Sequence, residues 1–159
     1  MLVILIGYIT PMQVILSADK FQKMSNIVDV VVVDRNLTTM LRTVKATGLE
    51  VELSKPGPFT VFAPSDIAFG KLAPGELTEL LKPENKVKLT DILNSHVVAG
   101  KTEFKDLKDG QKLKTISGKE LDVKIYNGKV TINGSAVQGR DKEASNGVVH
   151  SLDTVISIK

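Results

Sequence analysis

Two histidines, His96 and His150, and the pair Ser65-Asp66 are the residues whose type and setting suggest chemistry. Ser65 follows the run Phe59-Thr60-Val61-Phe62-Ala63-Pro64 and stands where an extended segment gives way to a helix, a place where some hydrolases set a nucleophile. Such a serine is flanked by glycine and served by a base. Here the neighbours are Pro64 and Asp66, and no base stands at a motif spacing. The same residues make a good helix start. A serine hydroxyl accepts from a free N–H of the first turn, and an aspartate in that turn is favoured by the helix dipole. Pro64 lacks the N–H a strand ladder needs and so ends the strand. The stretch reads as a structural corner.

His96 and His150 could hold a metal together with scattered carboxylates. Neither lies in an H-E-x-x-H or comparable spacing, and two histidines are too few for a closed site. Each sits in an apolar run, "SHVVAG" and "VVHSLD", where a histidine is more often a buried, hydrogen-bonded core residue. Asp153, three residues after His150, falls on the other face of a strand and is not its natural partner. Whether folding brings His96 against Asp66 is not encoded locally. The absence of cysteine removes disulfides, thiolate ligands and Cys nucleophiles. The phosphate-cradling patterns G-x-G-x-x-G and G-x-x-x-x-G-K-[ST] are missing as well. The expectation is no catalytic residue, no metal and no cofactor.

The elements that must position these residues can be read in outline. "NIVDVVVVDRN" suits a helix or a strand equally. Asn36 is the expected N-cap of a helix carrying Leu37, Met40, Leu41 and Val44 on one face, with Gly48 as its stop. After the loop "SKPGP" comes the strand Phe59–Ala63. Phe59 and Val61 face one side, Phe62 the other, and Phe69 seals the helix that follows. "GELTELL" is a short helix beyond Pro74. Pro83 opens another, with Val87, Ile92 and Leu93 on its apolar side and Leu89 beside them. "HVVAGK" reads as a short buried strand. Ser117-Gly118, Asn127-Gly128 and Asn133-Gly134 then punctuate alternating segments, the strongest short-range signal for hairpins. The last stretch, "NGVVHSLDTVISI", reads as an apolar strand broken by His150, Ser151 and Asp153. The fold class is α+β, with helices mostly in the first two thirds and an antiparallel meander in the last.

Charge narrows the partner. All 21 basic and 18 acidic residues fall between Asp19 and Lys159, and the two signs are interspersed. No basic block with interleaved aromatics is present, so nucleic acid is not an expected partner. Met1–Ala18, "MLVILIGYITPMQVILSA", is uncharged. It has the apolar region of an export signal and Ser17-Ala18 as a possible cut, but lacks a basic start and carries Leu16 two residues before Ala18. Pro11 and Gln13 interrupt it as a membrane span. An export signal or membrane anchor is the expectation for residues 1–24, and an apolar element packed on the domain is the alternative.

Three segments together resemble one family. "FTVFAPSDIAF" (Phe59–Phe69), "ILNSHVVAGK" (Ile92–Lys101) and "NGVVHSLDTVI" (Asn146–Ile156) resemble, in order and spacing, the signature blocks of fasciclin-type (FAS1) domains. The resemblance implies a domain over residues 25–159, built as a β-wedge of two sheets with helices packed on one side. It also implies a secreted or cell-surface, non-enzymatic role in adhesion or in binding a surface or matrix protein or glycan. By the same resemblance, Asp66 and His96 tie the helical and sheet parts together by buried hydrogen bonds. Ser65, Ser95, Val97, Val98, Asp141 and His150 complete the candidate motif residues. Integrin-binding members pair a Tyr with the central His, where this chain has Ser95, and use an Asp-Ile step where it has Asp141-Lys142. The resemblance therefore does not carry integrin binding over. A carrier of a small apolar or saccharide ligand, held in a groove between sheet and helices, is the second function expected. An exposed apolar patch beside His96 would favour adhesion, and a deep apolar pocket there would favour the carrier.

Overall fold

Local sequence decides most of the helices. The computed structural model describes residues 25–156. The ambiguous first segment is a helix, α1 (Ile27–Val33), because Asn26 and Asp29 close a reciprocal capping box at its start and Ile27 and Val31 are buried one turn apart. Next is α2 (Thr38–Thr47), stopped by Gly48 in the left-handed conformation that glycine adopts without steric cost. The expected N-cap Asn36 is corrected here. Leu37 holds that position and supplies no side-chain cap, while Asn36 lies outside the helix with its N–H on Asp34. A further turn of helix, α3 (Leu49–Leu53), follows directly on Gly48, where the sequence reading had none.

Strand β1 (Phe59–Pro64) runs into α4 (Asp66–Gly70), and then α5 (Glu76–Leu80) and α6 (Lys86–Asn94) follow, the last entered through a 3-10 turn at Pro83–Asn85. On α6, Leu89 and Leu93 are buried, but Val87 is 83% exposed, a correction to its expected place on the apolar face. A position two residues before Leu89 lies about 200° round the helix from it, so both cannot face the core. The remaining strands are β2 (Val97–Ala99), β3 (Lys112–Lys114), β4 (Glu120–Tyr126), β5 (Lys129–Ile132), β6 (Ser135–Ala144) and β7 (Gly147–Leu152). Asn127-Gly128 and Asn133-Gly134 have positive φ at both residues, as type I′ turns require. Strand β7 runs unbroken through His150 and Ser151 and ends at Leu152, so Asp153 alone of the three expected breakers lies beyond it.

Among the described residues the seven strands hydrogen-bond in the order β2-β1-β7-β6-β5-β4-β3. All neighbours are antiparallel except β1 and β7, which pair in parallel from Phe59↔Gly147 to Pro64↔Leu152. The ribbon folds over on itself. Val98 bridges to Thr115, bringing the two ends together, and the register of β6 against β7 shifts twice between Val137 and Lys142. The outcome is a wedge with two cores. One packs the helices on the outer face of β1, β2 and β7 through Val61, Ala63, Val97 and Val149. The other fills the wedge between its limbs, with Phe62, Val98, Leu121, Val123, Ile132 and Leu152. The α+β wedge with helices on one side and a C-terminal meander is the architecture expected from the sequence.

Candidate functional site

The corner at the end of β1 joins three elements. Ser65 accepts the Ala68 N–H on its hydroxyl at 3.2 Å, capping α4, and gives its own N–H to the Leu152 carbonyl of β7. Asp66 serves a different helix from its own. Its carboxylate takes the Thr39 N–H and the Thr38 hydroxyl, each at 2.7 Å, and so caps α2, whose N-cap Leu37 has no side chain to do so. Its N–H reaches the Asn36 carbonyl at 2.8 Å. Partial burial works to raise the Asp66 carboxyl, and the N–H of Thr39 and the hydroxyl of Thr38 outweigh it, leaving the group below the usual carboxylate range.

His96 is wholly buried between the end of α6 and the last described residues. The Ile156 N–H donates to Nε2 at 3.0 Å, so that nitrogen carries no proton; the proton is on Nδ1, which donates to the Ile92 carbonyl at 2.8 Å. The ring is thus neutral and satisfied at both ends. Burial pushes its pKa down to about 4, with only partial offset from the Ile92 carbonyl. His96 and Asp66 spend these bonds on different partners and do not bond to each other. Ser95, beside it, donates to the Asp91 carbonyl and shares a 2.9 Å bond with the Ser117 hydroxyl at the β3–β4 turn. Val97 and Val98 are buried on opposite faces of β2, one in each core.

His150, on β7, stacks on Phe62 with ring centroids 5.4 Å apart and donates from Nε2 to the Thr102 carbonyl at 2.9 Å. Thr102 in turn gives its N–H to Thr60 Oγ1, which donates to the Gly100 carbonyl. This chain holds the loop after β2 across β1 and β7. Asp141 lies on β6, its side chain outside the described residues, as are Met1–Ala18.

A recess opens beside His96, with about 270 Å³ of room. Phe69, Leu72, Leu89, Ile92, Leu93 and Ile156 are among its apolar lining residues. Among the described residues, Glu76 and Lys88 are its only charged lining residues. Of the two outcomes weighed for this neighbourhood, the structure shows an apolar recess, not a flat exposed patch. A second, polar recess of about 310 Å³ lies against Asp66 and Ser65, where Lys142 of β6 is paired with Asp34 at the end of α1.

The family model described as the fasciclin domain matches residues 35–158 of this chain. The chain belongs to the fasciclin family. Among curated relatives, Protein sll1483 of Synechocystis sp. is 43% identical over 130 residues, covering 82% of this chain and 72% of its own length. Protein sll1735 of the same organism is 40% identical over 133 residues, covering 84% and 98%. The transforming growth factor-beta-induced protein ig-h3 of Sus scrofa is 34% identical over 133 residues, which is 84% of this chain but only 19% of that protein. Among solved structures, the FAS1 domain pair from the insect cell adhesion molecule fasciclin I superposes with a TM-score of 0.76 at 20% identity, over 84% of this chain and 51% of that one.

One residue of this fasciclin domain matters more than its sequence setting suggested. The buried amide of Asn146 accepts the Ile27 N–H on Oδ1 at 2.9 Å and donates from Nδ2 to the carbonyls of Leu53 and Lys55. Its own carbonyl takes the Phe59 N–H. Asn146 therefore joins α1, the end of α3 and β1. The sequence reading placed Asn146 only at the start of the apolar stretch "NGVVHSLDTVISI", and nothing local there points to bonds more than 90 residues away.

Proposed function

We propose that this fasciclin domain is a non-catalytic interaction module that acts outside the cell, in adhesion or in binding a surface or matrix protein or glycan. The carrying observation is how the reactive residue types are used. Ser65, Asp66, His96 and His150 make hydrogen bonds to backbone groups and to the Thr38 hydroxyl, bonds that cap helices and tie neighbouring elements of the fold together. The fold shared with a cell adhesion molecule supports the same reading. Among the described residues no helix is long and apolar enough to cross a membrane.

The test is to express the full chain in its own host, fractionate the cells and sequence the N-terminus of the recovered protein. Protein outside the membrane starting near Asp19, or held in the membrane from Met1, supports the reading. Protein starting at Met1 in the cytosol overturns it. A second reading, a small-ligand carrier, is favoured by the apolar recess beside His96.

A further inference from the structure

We propose that the recess beside His96 binds a free aliphatic carboxylate, its hydrocarbon tail among the side chains of α4, α5 and α6 and its head at Lys88. This rests on the carrier reading above and names its ligand. The tail follows from the lining. Phe69 is the one phenyl ring among the described lining residues, and the other ring, the His96 imidazole, is wholly buried; the rest of the apolar wall is Leu, Ile and Val, which suits an aliphatic chain better than a sugar or a flat heterocycle. At about 270 Å³ the space falls just below the usual range for small-molecule sites, suited to a single chain more than to a fused-ring ligand.

The head follows from which polar groups remain available. His96 has both ring nitrogens engaged, with Ile92 and with Ile156. Glu76 holds the Ala73 N–H on Oε2 at 3.1 Å, a bond at the start of its own helix. The Lys88 side chain, the one cation among the described lining residues, makes no ion pair or hydrogen bond among the described residues, whereas Lys82 pairs with Glu79 and Lys119 with Asp91. A cation left unpaired at the mouth of an apolar recess is complementary to an anion carrying an apolar tail. Glu76 sets a limit on the other side: its charge repels a ligand with more than one negative group and leaves a monocarboxylate as the best match.

The experiment is titration of the full chain, below their aggregation concentrations, with decanoate, decanol and decylamine, followed by methyl NMR and calorimetry. Decanoate should shift the methyl signals of Leu72, Leu89, Ile92 and Ile156 and bind more tightly than decanol. Lys88→Met, which keeps the apolar stem, should weaken decanoate about three- to fivefold, as expected for one exposed charge pair, and leave decanol unchanged. Ile92→Trp should fill the recess and abolish binding of both; if it fails to fold, Leu72→Trp at a half-buried site serves the same purpose. Equal affinity for decanoate and decanol, or tighter binding of decylamine, overturns the head-group assignment while the carrier reading stands. Absence of binding by all three overturns the carrier reading with it. Binding that leaves these methyl signals unmoved places the site elsewhere and also overturns the proposal.

Discussion

A buried histidine that must stay neutral makes stability depend on acid, and His96 is such a residue. Its folded pKa lies at about 4, below the 6.5 of an exposed imidazole, because burial disfavours the charged ring. Between those values the unfolded chain takes up a proton that the folded chain refuses. The contribution of neutral His96 is therefore complete above pH 6.5, falls as the pH drops through the window, and levels off near pH 4. The full loss is about 3 kcal/mol, from the size of the shift at 1.36 kcal/mol per unit. Urea unfolding of the wild type and of His96→Asn across this range should show the steeper pH slope in the wild type; parallel slopes would mean that His96 is not the titrating group. His96→Ala should cost about 1–3 kcal/mol at pH 7, since it leaves the Ile156 N–H and the Ile92 carbonyl buried without their partner. Asp66 behaves in the opposite sense. Its carboxyl is held below its usual range, so its stabilisation is present above the unfolded carboxyl pKa and is lost as the pH falls through the lower, folded value. Asp66→Ala should cost about 1–2 kcal/mol at pH 7 through the lost cap of α2, and that difference should shrink in acid. An equal cost at pH 7 and pH 2.5 would contradict the charged-cap account.

At the level of elements, the segments legible in the sequence are those whose cause is local. The β4–β5 and β5–β6 turns were legible because Asn127-Gly128 and Asn133-Gly134 carry their conformation in two adjacent residues. The end of α2 was legible because Gly48 marks it. Its start was not, since Leu37 offers no side-chain cap and the Thr39 N–H is taken instead by Asp66, 27 residues away. Strand β6 escaped notice because "SAVQGRDKEA" has no clean alternation, and its two register shifts explain why none is needed. The junction at Asn146-Gly147 was equally hidden, being made of long-range contacts. Its importance can be measured. A Cβ on Gly147 would fall onto the Phe59 carbonyl, 2.8 Å from its carbon, and both partners are backbone of paired central strands that cannot move aside separately. Gly147→Ala should therefore cost roughly 3 kcal/mol or more, or prevent folding. Asn146→Ala keeps the strand pairing but strands a buried N–H and two carbonyls, for about 2–4 kcal/mol. A Gly147→Ala protein melting within a few degrees of the wild type would show that β1 and β7 are free to part, against the geometry described here.

For the molecule as a whole, the two cores share their strands. Val61 of β1 packs under the helices while its neighbour Phe62 packs inside the wedge, and Val97 and Val98 of β2 divide in the same way. The parallel pairing of β1 with β7 joins chain segments nearly ninety residues apart, and nothing local in either strand specifies that partner. This is why the meander could be read from the sequence and the closure of the wedge could not. Shared strands also mean that neither core can be lost alone. Opening the helical layer would expose Val61, Ala63 and Val97, and opening the β3–β5 limb would expose Phe62 and Val98 on the other faces of those strands. The domain should therefore unfold as one cooperative unit. Native-state hydrogen exchange at low urea is the direct measurement. The slowest amides of α6, such as Leu93, and of β4, such as Val123, should converge on one opening free energy within about 1 kcal/mol, the behaviour of a single cooperative unit. If the helical amides instead open by about 2 kcal/mol or more less than those of β4, the helices form a separate unit and the wedge stands without them. Since the recess beside His96 is lined by residues of those helices and by Ile156, that outcome would also make ligand binding there a helix-ordering event, detectable as a rise in the protection of α6 alone when decanoate is added.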